Sequence, residues 1–424
     1  MVELRTAISI EEAIRKVMES ESVCITEQVE LTEAHGRFLA EDVIADQDVP
    51  AFNRSLYDGY AIKAEDTNGE LPAVFEVIDE IGAGHVFSGK VGNHQAVRIM
   101  TGAQLPEECD AVVMLEHVTS HTENGANYIT INEKIAYGER VFFKGAELRA
   151  GACMVEKGTV ITPGVIGLLA TFGYSKVLVG KRPVVGVLAT GSELLDIDEP
   201  LEPGKIRNSN SYMLFSQIER AGGRAVYLGK LEDDLEKCLA AVQEALKEVD
   251  ILITTGGVSV GDYDYMPDIY NRLGASVLFN KIAMRPGSVT TVAKRGKQLL
   301  FGLSGNPSAS FIGFELFVRP VIRKSLGSKQ LHLASVKAIL LEDYPAPKAF
   351  TQLIRTKIAY ENAKLTVSSV GLNLSSSITS LAGADALLIL RPTVESYKRG
   401  SEVPILLLSE KEGQEHAWIG SDCR

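Results

Sequence analysis

Residues 251–266 read ILITTGGVSVGDYDYM. An apolar, β-branched run enters Gly256-Gly257, a polar loop follows, and Asp262 and Asp264 stand two residues apart. A short continuous apolar run closed by glycines fits a strand buried on both faces. Glycine-rich loops at such strand ends usually hold phosphates, yet this loop has no lysine and carries two carboxylates. Carboxylates beside a phosphate repel it unless a divalent cation lies between them. Mg2+ is bound in that way, by one or two carboxylates plus phosphate oxygens. The loop therefore points to a phosphorylated ligand with a Mg2+ bridge.

The flanking sequence has one rhythm from 183 to 324. PVVGVLAT, RAVYLGKL, DILITTGG, TTVA and QLLFGLSG read as strands. SNSYMLFSQIERAGG, DDLEKCLAAVQEALKEV, MPDIYNRLG and NPSASFIGFELFVRPVIRK read as helices, the last one long and continuous. Alternating apolar strands and helices predict a doubly wound parallel sheet. Ligands bind such sheets off the carboxyl ends of the strands. Three strand ends carry unusual loops: ATGSELL with Thr190, Gly191 and Glu193; the opening stretch with Gly256, Gly257 and Ser259; and LSGNPSAS with Ser304, Gly305, Asn306 and Pro307. The helix from Pro307 would aim its N–H groups at that rim and favour an anion. Taken singly, the glycines read equally as turns, Asp264 as a helix cap and Asn306-Pro307 as a helix start. Three such loops in register are harder to dismiss. No GxxxxGK[ST] and no helix-opening GxGxxG occurs. Lys281 and Arg285, four apart, are candidate cations or a solvated basic pair.

Elsewhere the texture changes. SIEEAIRKVMES predicts a first helix capped by Ser9, with Glu12 in capping-box position. Between 70 and 144, AVFEVID, AVRIM, DAVVMLE and NYITINEKI predict a small β domain. PGVIGLLATFG is helix-like, and the β runs of 331–410 predict a small barrel, with EKEGQEHAWIGSDCR a frayed tail. Asp58-Gly59, between Tyr57 and Tyr60, is a tight-turn signal. The 43 basic and 55 acidic residues leave a charge of −12, against sequence-independent nucleic-acid binding. Five scattered cysteines without a CxxC fit a reducing cytoplasm better than a disulfide framework or a zinc site. The charged N-terminus is not a signal peptide, and no apolar run is long enough to span a membrane.

SLYDGYA, RIMTGAQLPEECDAVVMLE, TGSEL, TTGGVSVGDYDY, MRPG and SGNPSAS stand in the order and spacing of the MoeA family, which the chain resembles over nearly its whole length. These are molybdopterin molybdenumtransferases related to the C-terminal part of gephyrin. The resemblance implies a multidomain α/β plus β fold with a central MogA-like, doubly wound parallel-sheet domain at 181–330. It implies an elongated α+β dimerisation domain from 1–45 and 145–180, an inserted β domain at 46–144 and a C-terminal β-barrel at 331–412. It implies a homodimer with active sites shared between subunits, and a reaction in which adenylylated molybdopterin and molybdate give molybdenum cofactor and AMP with Mg2+. By matched position it assigns functional acids to Asp58, Glu147, Glu193, Asp233, Asp262 and Asp264, with Glu193, Asp233, Asp262 and Asp264 as metal ligands. Basic groups fall at Lys281, Arg285 and Arg355, and Ser375 and Ser376 lie in a barrel stretch that faces the site. The sequence departs from the family at Ser288, where lysine is usual, at Ser304 for proline, and at Tyr57, Phe142, Phe143 and Glu147. The missing lysine favours the alternatives: a paralogue acting on tungstate or a modified pterin, or a molybdopterin-binding scaffold.

Overall fold

The computed structural model describes residues 6–20, 24–231, 234–257 and 266–408. The expected frayed tail and the expected site residues Asp233, Ser259, Asp262 and Asp264 lie outside the described residues. The chain forms two compact units, one of residues 42–156 with 168–174, the other of residues 1–41, 157–167 and 175–424.

The larger unit is organised by a six-stranded sheet. Its strands are β1 (Val184–Thr190), β2 (Arg224–Leu231), β3 (Ile251–Thr255), β4 (Ser276–Phe279), β5 (Thr291–Arg295) and β6 (Gln298–Leu303), in the spatial order β2-β1-β3-β6-β5-β4. β2, β1, β3 and β6 are parallel. β5 pairs antiparallel with both β6 and β4, so it alone runs against the others and the all-parallel expectation is corrected at this edge. The reason is local: only Gly296-Lys297 joins β5 to β6, which suffices for a hairpin but not for a crossover. Helices α1 (Ser209–Ala221), α2 (Leu235–Ala245), α3 (Met266–Arg272) and α4 (Pro307–Gly313) accompany the sheet. Asn208 and Asp234 cap α1 and α2 through their side chains, and Gly222 ends α1 in the left-handed conformation.

Both faces of the sheet are buried. On one, Leu188, Leu252 and Leu300 pack with Val242, Ile269 and Tyr270. On the other, Val187, Ile253 and Phe301 pack with Leu214, Ile218 and Phe314. The same cluster takes in Ile10, Ile14 and Val17 of the helix Ile10–Glu19, whose cap is the Glu12 N–H donating to Ser9 Oγ at 3.0 Å.

The long helix expected from 306 is interrupted. α4 passes into a π-helical turn at Phe314–Val318 before the helix resumes at Arg319–Ser325. Pro320 accounts for this, because it cannot donate to the carbonyl four residues back and its ring crowds that carbonyl. The turn delivers Glu315 into the core. Its side chain is fully buried, accepts from Gln217 Nε2 at 2.6 Å and from Arg220, and lies 3.9 Å from Arg319.

The barrel strands are β7 (Ser335–Leu340), β8 (Thr351–Glu361), β9 (Lys364–Ser369), β10 (Ala386–Leu390) and β11 (Glu402–Leu407). They close in the order β8-β9-β7-β11-β10 and back to β8. The short strand Met284–Arg285 adds to the other side of β8.

The smaller unit holds a six-stranded sheet ordered Ala111–Met114, Gly59–Ile62, Gln95–Ile99, Ala73–Ile81, Ala126–Ile131, Val118–Glu123. The tight-turn reading of Asp58-Gly59 is corrected here. Gly59 starts a strand, and a Cβ on it would lie 2.1 Å from the Val113 carbonyl oxygen. Close approach, not a left-handed turn, requires the glycine. Cys24, Cys109, Cys153 and Cys238 form no disulfide. Among the described residues no helix is long and apolar enough to cross a membrane.

The buried cluster at Glu315 makes a direct test. Glu315→Ala strands Arg319, which is 3% exposed, without its carboxylate. Breaking a buried pair from one side costs about 3–5 kcal/mol. Denaturant unfolding should show a loss of that size; a loss below about 1 kcal/mol would contradict the account.

Candidate active site

β1, β3 and β6 are adjacent and parallel, so their carboxyl ends share one edge of the sheet. The three loops singled out in the sequence leave from that edge. Gly256 takes φ +96°, and a Cβ there would lie 2.4 Å from the Thr190 carbonyl oxygen, so the β1 and β3 ends close together only because it is glycine. Its N–H donates to the Leu303 carbonyl at 3.1 Å, which ties in β6. Past Gly191 the exposed Glu193 carboxylate folds back, so that a Cβ on Gly191 would lie 2.5 Å from it.

Two cavities open along this rim. The larger, about 440 Å3, is lined by Arg285, Gly287, Ser288, Ser304, Asn306 and Ser375, among others. The smaller, about 70 Å3, is lined by Thr190, Glu193, Asn210, Thr255, Gly305 and Pro307, with others. The turn Ser304–Pro307 lines both.

The wall of the larger cavity is held by the barrel. The Ser308 N–H donates to the Ser375 carbonyl at 3.1 Å and its hydroxyl to the Ser377 carbonyl at 2.6 Å. On the other side Arg355, 1% exposed, donates to the carbonyls of Leu372 and Leu374 and to Ser380 Oγ. Loop 372–377 is thus gripped from both sides. The expected open anion site at the start of α4 is corrected in part: Pro307 has no N–H, and that of Ser308 is spent on the barrel loop. Arg285 is exposed, with its guanidinium over the Phe350 ring at 5.8 Å.

In the smaller unit Asp58 is exposed and accepts from both the N–H and the hydroxyl of Thr101 at 2.7 Å. These bonds, with Arg98 nearby, hold its carboxyl below the usual aspartate range. The TGA segment of the sequence thereby fixes the acid of the DGY segment as a carboxylate.

Residues 8–173 match the MoeA N-terminal region (domain I and II), 186–324 a probable molybdopterin binding domain, and 337–408 the MoeA C-terminal region (domain IV). A molybdopterin molybdenumtransferase of Bacillus subtilis is 51% identical over 421 residues, covering 99% of this chain and 98% of that one. The chain belongs to the MoeA family. One from Staphylococcus epidermidis is 45% identical over 98% of this chain and 99% of its own. The crystal structure of a MoeA protein from Pyrococcus horikoshii OT3 superposes with a TM-score of 0.79 at 32% identity, covering 95% of this chain and all of that one.

Of the acids that the MoeA resemblance assigns, Glu193 stands on the rim of the larger unit, while Asp58 and Glu147, both exposed, belong to the smaller unit. Arg285, Ser288, Ser304, Asn306 and Ser375 gather around the larger cavity, while Thr190, Glu193, Gly305 and Pro307 gather around the smaller. Lys281 and Ser376 line neither. Arg355 braces the cavity wall from beneath. Among the described residues no three His, Cys, Asp or Glu side chains form a metal cluster. Asn210, Thr255 and Gln352 also line these cavities and were missed. The signal for Asn210 was present in RNSNS, where two asparagines open a helix that follows the rim.

Thr101→Val removes the hydroxyl donor to Asp58 and should raise its pKa toward the ordinary aspartate value. Following the Asp58 carboxyl carbon by NMR while the pH is lowered should show protonation earlier in the variant than in wild type. Identical titrations would remove Thr101 from this role.

Proposed function

We propose that the chain, a molybdopterin molybdenumtransferase by family, inserts molybdate into adenylylated molybdopterin to form molybdenum cofactor and release AMP. The two dithiolene thiols bind molybdenum as one oxo group of molybdate takes their two protons and leaves as water, and a separate water hydrolyses the phosphoanhydride to AMP and the phosphate of the cofactor. The observation that carries the reading is the larger cavity, where one exposed guanidinium and several hydroxyl and amide groups surround a space suited to a tetrahedral oxyanion. Arg285 offers planar, bidentate hydrogen bonding, and Ser288, Ser304, Asn306 and Ser375 offer neutral donors. Ser288 in place of lysine leaves Arg285 to supply the charge in its loop.

An exposed carboxylate at a strand end suits Mg2+, which keeps much of its water and takes one or two carboxylates plus phosphate oxygens. Glu193, with Asp262, Asp264 and Asp233, would hold it, and when bound it offsets the charge of the phosphates against these acids. We place the enzyme in the cytoplasm as a homodimer. Asp58, an exposed carboxylate on the smaller unit, serves the rim of the partner subunit.

The test is AMP release from purified protein given adenylylated molybdopterin, molybdate and Mg2+, first in wild type and then in mixed variants. Asp58→Ala and Glu193→Ala homodimers should each be nearly inactive. After subunit exchange a heterodimer has one site with both lesions and one with neither, so it regains about half of wild-type activity. Wild-type protein that releases no AMP would sink the reaction. A mixture that stays inactive after exchange is verified by mass would sink the shared site.

A further inference from the structure

The opposite pole of the parallel sheet carries a cavity that the rim chemistry does not use. β1, β3 and β6 begin side by side at Val184, Ile251 and Gln298. A cavity of about 170 Å3 lies at these amino ends. The buried residues Pro183, Ile251, Leu299 and Val321 give it an apolar floor. The Lys181 N–H donates to the Ile25 carbonyl at 2.7 Å, which sets Ile25 beside the opening. An apolar cavity of about 150 Å3 takes one benzene, so this one has room for a single ring.

The polar lining divides by what is already bonded. Asp250 accepts the Val184 N–H at 2.7 Å. Gln298 spends Nε2 on the carbonyls of Leu246 and Val249, both at 2.7 Å. The Ser325 hydroxyl donates to the Val321 carbonyl at 3.0 Å. What remains unmet is positive. Lys181 and Lys297 are exposed and form no ion pair among the described residues. Arg182 meets Glu219 only at 4.0 Å. Three cations against the one carboxylate of Asp250 leave an excess of positive charge, on a chain whose net charge is −12. A lysine ammonium rides on a flexible four-carbon stem and can settle over a ligand at the opening.

We infer that this cavity binds a small organic anion with one ring, the ring on the apolar floor and a carboxylate or phosphate among Lys181, Arg182 and Lys297. Both halves are needed. An inorganic anion buries no apolar surface, and a neutral ring gains nothing from the cations. The site shares no residue with the rim cavities, which lie at the carboxyl ends of the same strands, so it stands apart from the proposed function.

The probe is phenyl phosphate, titrated calorimetrically into the full chain. Inorganic phosphate and benzyl alcohol supply the charge and the ring separately. Wild-type protein should bind phenyl phosphate about tenfold or more tightly than either. The double variant Lys181→Glu, Lys297→Glu should weaken it by about tenfold or more, and the gap should narrow at high salt. Lys181→Gln with Lys297→Gln replaces that variant if it does not fold, and should still weaken binding by about threefold. Arg285→Ala, which alters the rim cavity, should leave the affinity within about twofold. Equal affinity for phenyl phosphate and inorganic phosphate overturns the inference. So does binding that survives loss of both lysines, or that is lost with Arg285 and thus belongs to the rim. Each of these results leaves the proposed function standing.

Discussion

The larger unit depends on a constraint of parallel pairing. Parallel strands need crossovers, and crossovers place every carboxyl end on the same edge of the sheet. β1, β3 and β6 obey it side by side, so loops that follow strand ends 65 and 48 residues apart in sequence meet on one rim. Gly256 lets those ends touch, since any side chain there would meet the Thr190 backbone. The barrel then supplies what the sheet lacks, a wall. Loop 372–377 is held by Ser308 on the helix side and Arg355 on the barrel side. A packed junction around Glu315, Arg319 and Gln217 stands behind that arrangement.

The charge pattern of the two rim cavities is uneven. One holds Arg285 with hydroxyl and amide groups, and the other holds both Glu193 and Arg207. They share the Ser304–Pro307 turn. This polarity follows from named side chains and not from the net charge of −12, which by itself would repel an anion.

Most of this architecture was legible because periodicity reports burial. Continuous apolar strands announced a sheet covered on both faces, and Ser9, Asn208 and Gly222 punctuated helices where the chain breaks them. Gly296-Lys297 and Pro320 carried the hairpin and the π-helical turn in plain view, but alternation and helical pattern outweighed them. Arg355 is buried in β8 only because loop carbonyls accept its hydrogen bonds. The rim loops were found through glycine and helix-start signals. Asn210 was not, since the meaning of its side chain depends on Thr255 and Gly305, distant in sequence. Gly59 was found for the wrong reason, because a close backbone approach leaves the same mark as a turn.

The central claim is that the cavity between the Arg285–Ser288 loop and barrel loop 372–377 is built for a tetrahedral oxyanion. Crystals soaked in tungstate, which has the size and charge of molybdate and strong anomalous scattering, test it without turnover. The account predicts an anomalous peak inside that cavity, within hydrogen-bonding distance of the Arg285 guanidinium and of Ser288 or Ser375. A cavity empty of tungsten, with the ion bound elsewhere on the chain, would contradict it.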